Sequence, residues 1–222
     1  MSIAESLQKI KNTIPANVTL IAVSKTKPVS DILEAYNAGQ RAFGENKIQE
    51  MVQKYEDLPK DIEWHMIGHL QSNKVKYMAH FVHLIHGVDS FKTLKEINKQ
   101  AIKHKRIINC LLQIKIAREE TKFGLSALEA ENFITSEELK SLKNIHILGF
   151  MGMASFTDDL NIIKNEFKTL KNIFNSLKKY KSFNFTPTKL SMGMSGDYQI
   201  AIEEGSNMVR VGSAIFGERN YN

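Results

Sequence analysis

The chain has 222 residues, 42% of them hydrophobic, with 12 glycines and 4 prolines; this excludes a disordered or collagen-like chain, and the length suits one large domain better than two small ones. Its 30 Lys and Arg against 24 Asp and Glu give a formal charge of +6. The excess recurs at helical spacing, as at Lys164, Lys168 and Lys171, with no aromatic–basic interleaving, so a solvated helix face is expected and a nucleic-acid partner is not.

The N-terminal segment Met1–Ile14 carries Glu5, Lys9 and Lys11 and lacks the apolar core of a signal peptide. Short apolar or β-branched runs then alternate with amphipathic segments to the end of the chain. The strands expected are Thr19–Ser24, Arg41–Gly44, Glu63–Gly68, His83–Val88, Ile108–Ile116, His146–Met153, Lys189–Gly193 and Met208–Phe216. Helices are expected over Val29–Ala38, Lys47–Tyr55, Phe91–His104, Ala127–Leu142, Leu160–Tyr180 and Asp197–Glu204, several introduced by Ser, Asp or Asn at cap positions. Eight strands, each followed by a helix, favour a closed (β/α)₈ TIM barrel spanning residues 1–222 over an open doubly wound sheet. The longest apolar stretch, Ile145–Ala154, is about half a membrane span, and the lone Cys110 permits no internal disulfide. A soluble, cytoplasmic, monomeric protein with no membrane partner is expected.

In such barrels the functional site forms at the C-terminal strand ends. There the chain places Ser24-Lys25-Thr26-Lys27-Pro28, Phe43-Gly44-Glu45-Asn46, Ser191-Met192-Gly193-Met194-Ser195-Gly196 and Arg210-Val211-Gly212-Ser213. Lys25 follows an apolar strand, where partial desolvation would favour the neutral, aldehyde-reactive amine. Lys27 is its rival, on the same parity, although Pro28 places it beyond the strand. Ser195, Gly212 and Ser213 belong to the seventh and eighth strand ends, the usual phosphate site of these barrels; glycine admits the phosphate to the backbone and serine hydroxyls donate to it. Arg210 shares the parity of Gly212. It would bind the phosphate, reach a heteroaromatic nitrogen, or pair with Glu45 or Asp197. His65, His69, His80, His83 and His86 come with no cysteine and no HExxH pattern, so no metal site is expected.

These motifs, with Trp64-His65-Met66-Ile67-Gly68, Thr121-Lys122-Phe123-Gly124 and Val209 to Gly217, resemble the pyridoxal phosphate homeostasis protein family, whose barrel is that of the alanine racemase N-terminal domain. The resemblance runs nearly end to end. It implies pyridoxal 5′-phosphate held as a Schiff base on Lys25, with phosphate contacts from Ser195, Gly212 and Ser213, Arg210 near the pyridine nitrogen, and Asn46 lining the pocket. It also implies a carrier or regulator of the cofactor, with PLP-dependent apoenzymes as recipients, rather than an enzyme. The departures are small: Ser213 stands where threonine is common, and Gly149-Phe150-Met151 replaces Gly-Leu-Met. The alternatives are an amino-acid racemase, which needs a second acid on the opposite ring face, and an enzyme acting on a phosphorylated metabolite with Glu45 and Asp197 as acid and base.

Overall fold

The structure is a computed structural model that describes residues 1–119 and 123–218. After the helix α1 (Ile3–Thr13), the strands are β1 (Thr19–Val23), β2 (Ala42–Glu45), β3 (Glu63–Met66), β4 (Leu84–Val88), β5 (Ile108–Gln113), β6 (Ile145–Met151), β7 (Phe185–Ser191) and β8 (Met208–Val211). They pair in parallel and in chain order, and β8 closes on β1. The intervening helices are α2 (Val29–Asn37), α3 (Ile48–Asp57), α4 (Val75–Met78), α5 (Phe91–Lys103), α6 (Ala127–Thr135), α7 (Glu137–Ser141), α8 (Leu160–Leu177), α9 (Tyr198–Glu203) and α10 (Ser213–Phe216). The expected (β/α)₈ barrel is therefore present. Among the described residues, no helix is long and apolar enough to cross a membrane.

Local chemistry accounts for the element limits. Ser126 and Glu129 form a reciprocal capping box at α6, and the carboxylate of Asp159 accepts N–H groups at the start of α8. The helix expected over Ala127–Leu142 is divided at Ser136. Its hydroxyl donates to Phe133 O and accepts from Leu139 N, so one side chain ends α6 and begins α7. The sequence reading also missed α1, whose capping box is Ser2 with Glu5.

β5 ends at Gln113, three residues short of expectation, and two strands depart further. β8 stops at Val211 because Gly212 (φ −121°, ψ −76°) turns the chain into α10, so the expected strand over Met208–Phe216 is half helix. β7 begins at Phe185 and includes Pro187. Its pairing with β6 jumps from Ile147 opposite Phe185 to Gly149 opposite Lys189, an irregularity that absorbs a residue unable to donate to the ladder.

The core has two layers, as alternating strand side chains require. Outward-facing Phe43, Trp64, Ile85, Phe150 and Phe185 pack beneath the helices. Ile21, Ala42, Leu84, Leu111, Met151 and Met208 fill the barrel interior. Counting forward by twos from this inner layer carries the inward parity from Ile21 to Lys25, from Ala42 to Asn46, and from Met208 to Arg210 and Gly212.

Candidate functional site

That parity opens into a cavity of about 460 Å³ at the C-terminal end of the barrel. Lys25, Asn46, Ser195, Arg210, Gly212 and Ser213 all line it, so the six residues singled out in the sequence converge. Sequence reasoning missed the outer rim, where Ile67, Gln113, Phe123 and Phe156 contribute. The amide of Gln113 donates to Phe123 O at 3.0 Å, and the Phe123 ring stacks on His69 at 4.2 Å. Aromatic residues carried on connecting loops have no periodicity that would reveal such a rim. Lys122, another lysine within the family motifs, lies outside the described residues.

Lys25 is half-buried, two residues past the end of β1. Lys27 also reaches the cavity, but its ammonium donates to Phe216 O at 2.8 Å and to Glu218 O at 2.9 Å. It is thereby committed to the carboxyl end of α10. The backbone between them is unusual: Thr26 has φ +64°, a left-handed conformation that a β-branched residue rarely adopts. The Thr26 N–H donates to Glu50 Oε1 at 2.5 Å.

Glu45, considered in the sequence as a mouth acid or a partner of Arg210, is neither. It has the outward parity of β2, is fully buried, and lies against α3. The Ser24 hydroxyl donates to its Oε1 at 2.6 Å, and Lys54 Nζ reaches the same oxygen at 2.7 Å. Lys54 also donates to Ser24 O at 2.7 Å and to Glu50 Oε1 at 2.6 Å. Burial pushes the Glu45 carboxyl up to about 7 against the opposing pull of Lys54. Buried charge thus grips the residues on either side of Lys25.

Across the cavity, Ser195 Oγ accepts the Gly212 N–H at 3.0 Å, which ties the β7 and β8 ends together. That use of the amide differs from the expectation that it would face a ligand; the serine hydroxyl proton remains to donate. A Cβ on Gly212 would lie 3.1 Å from Val23 O and 3.2 Å from Val23 Cβ. Arg210 is buried, donates to Ser191 Oγ at 2.6 Å and to Gly152 O at 3.1 Å. Burial draws its pKa down to about 10, so it remains a cation at neutral pH. Behind it, His86 Nδ1 lies 3.0 Å from Ser191 Oγ and His86 Nε2 lies 2.9 Å from His65 Nδ1. Burial holds both imidazoles neutral, His65 down to about 3.

Among the described residues, the ionisable side chains lining the cavity are Lys25, Lys27, Arg210 and His69, and none is a carboxylate. Two amines, a guanidinium, an imidazole, two hydroxyls and two side-chain amides line one space, with Gly212 where a side chain would crowd the wall. That donor set fits a phosphorylated aromatic aldehyde such as pyridoxal 5′-phosphate.

Known proteins agree with this architecture. The family model "Alanine racemase, N-terminal domain" matches residues 1–220. The pyridoxal phosphate homeostasis protein of Aquifex aeolicus is 40% identical over 204 residues, covering 91% of this chain and 87% of its own; the Homo sapiens protein of that name is 38% identical, covering 91% and 77%. PipY of Synechococcus elongatus, solved with PLP bound, superposes with a TM-score of 0.88 at 34% identity, covering 97% of this chain and 100% of that one. Alanine racemase of Bartonella henselae shares the fold at a TM-score of 0.74 and 18% identity, with this chain matching 58% of its length. With its barrel, its motifs and relatives of this identity along nearly its whole length, the chain belongs to the pyridoxal phosphate homeostasis protein family.

Proposed function

We propose that the protein binds pyridoxal 5′-phosphate in the barrel mouth and serves in PLP homeostasis in the cytoplasm, as one barrel unit spanning the whole chain. The observation that carries this reading is the convergence of Lys25 with Ser195, Arg210, Gly212 and Ser213 on one cavity free of carboxylates among the described residues. The cofactor, when bound, would supply an aldehyde carbon that a primary amine can capture reversibly.

Lys25 Nζ is the attaching amine. Lys27 is disfavoured because its ammonium is engaged by Phe216 O and Glu218 O. Ser195 and Ser213 donate to the phosphate, and Gly212 leaves it room. Asn46 lines the wall beside Lys25. Arg210 faces the ring nitrogen and, being a cation at neutral pH, does not protonate it, which keeps the ring a poor electron sink.

A carrier suits these residues better than a racemase. Two-sided proton transfer needs a second acid or base opposite Lys25, and the imidazole among the described lining residues, His69, is stacked on Phe123 at the rim. The proposed partners are accordingly the cofactor and the PLP-dependent apoenzymes that receive it from a monomeric donor.

The test is an absorbance spectrum of protein loaded with PLP, followed by borohydride reduction and peptide mapping. The expected result is a yellow protein with the reduced adduct on Lys25, lost in Lys25→Ala. Adduct on Lys27 or Lys122 overturns the assignment. Rapid, two-sided deuterium exchange at the Cα of alanine would overturn the carrier reading.

A further inference from the structure

At the opposite end of the barrel, Glu63 and His65 on β3 and His83 just before β4 bring a carboxylate oxygen and two imidazole nitrogens within 4.8 Å of one another. Glu63 and His65 are two residues apart on one strand and share a face. The His83 N–H donates to Trp64 O at 2.8 Å, which fixes it alongside. Glu63 and His83 are exposed, so this end is open to solvent.

His65 is only 2% exposed, and its Nε2 is buried without a hydrogen-bond partner. Its Nδ1 is taken up with His86, so Nε2 is the atom left to offer. A buried nitrogen in this state calls for a ligand. A neutral imidazole carries a lone pair on one of its two nitrogens, which a metal ion can take.

We propose that Glu63, His65 and His83 form a three-ligand site for a divalent transition-metal cation of the zinc class, at the end of the barrel away from the cofactor cavity. Two imidazoles and a carboxylate, with an open fourth position, form a donor set that zinc accepts. Magnesium and calcium prefer oxygen donors and are poorly matched. Bonds of about 2.0–2.2 Å draw the two exposed side chains inward by rotation about their own bonds. Lys189 on β7 adds positive charge near His65, which opposes the cation, and the Glu63 carboxylate offsets it.

A metal on Nε2 places the His65 proton on Nδ1, to be donated to His86 Nε2, as ligating histidines commonly do. His86 then donates from Nδ1 to Ser191 Oγ, the oxygen that also accepts from Arg210. Occupancy at one end of the barrel therefore sets the tautomers along a line ending on the guanidinium in the cavity wall.

The experiment uses the full chain, stripped with chelator, and zinc chloride alone, followed by calorimetry; cobalt(II), read by visible absorbance, reports the donor geometry. One equivalent should bind, and Glu63→Gln and His83→Ala should each weaken it by at least about tenfold. Lys189→Gln should tighten it. Because a His65 variant can fail to fold, the two exposed positions carry the test. Binding no weaker in Glu63→Gln/His83→Ala than in the wild type, or no binding in the wild type, overturns the site. In ¹⁵N spectra of the imidazoles, His86 should be protonated at Nδ1 with zinc bound; protonation at Nε2 in that state overturns the link to Arg210. The titration needs no cofactor, so its failure is distinct from failure of the PLP reading.

Discussion

On the β1–β2 side of the mouth, Lys25 is held from behind by charge: Ser24, Glu45, Lys54 and Glu50 interlock beneath α3, and Thr26 is bent into a left-handed turn against them. On the β7–β8 side the described charges are fewer: Arg210 on β8, and the buried Asp197, whose carboxylate accepts the Met194 N–H and holds the turn after β7. The wall is made of Ser195, Gly196, Gly212 and Ser213, and its form depends on side chains that are missing. One wall is positioned by buried ions and the other by vacant volume. Substitutions on the first should therefore register mainly as stability, and on the second as ligand selectivity.

The largest effect should come from Lys54→Met. Removing the ammonium leaves Glu45 and Glu50 without their shared cation, and breaking a buried pair in this way costs about 3–5 kcal/mol. Urea unfolding should register that loss, and adding Glu45→Gln should recover part of it. A loss below about 1 kcal/mol, the range of exposed pairs, would mean that this wall is not held by charge.

Next in size is the pH response of the same wall. The folded Glu45 pKa, about 7, lies above the unfolded value of 4.5, so between these the native state binds the proton more tightly. Its contribution is complete below pH 4.5 and is lost as pH rises through 7, amounting to about 3 kcal/mol. Unfolding free energies of wild type and Glu45→Gln across this window should diverge accordingly; parallel curves would remove Glu45 as the cause.

On the opposite wall, Gly212→Val should cost some stability, because its Cβ would lie 3.1 Å from Val23 O, but its main effect should be on the ligand. It should erase a preference for pyridoxal 5′-phosphate over pyridoxal that is expected to reach about a hundredfold, or about 2.7 kcal/mol. Titration of both aldehydes checks this, and equal affinities in the wild type would dispose of the phosphate wall. The smallest effect belongs to Thr26→Gly, where relief of the left-handed strain exceeds the entropy lost by glycine by at most about 1 kcal/mol. The melting temperature should rise slightly. PLP should dissociate faster, because the residue after Lys25 is less fixed.

The sequence was more informative about the vacant wall than about the charged one. Alternation from Ile21 to Lys25 and from Met208 to Gly212 could be read directly, because a strand's period is two and its apolar members mark the inward side. The same count puts Glu45 outside the barrel beside Phe43, yet a lone carboxylate after a strand reads as a mouth acid until its buried cation is known. Lys54 sits in a helix among other charged residues, and only the packing of α3 shows which charges are buried. β7 was read too short because Thr186-Pro187-Thr188 has the chemistry of a loop, and the irregular pairing that accommodates proline depends on β6. The line His65–His86–Ser191–Arg210 joins four different strands across the barrel interior. No local pattern encodes it.

The hold of Lys27 on Phe216 O and Glu218 O, beside the seam where β8 meets β1, has a kinetic consequence. The residues of that seam are almost the full chain length apart, so joining them carries a large loop-closure cost and a high contact order. The proposed attachment point and phosphate wall straddle the same seam. A nascent or partly opened barrel then presents Lys25 without the loops that would retain PLP. PLP binding thus favours only the closed ring, by mass action, and should slow its unzipping more than it speeds its assembly.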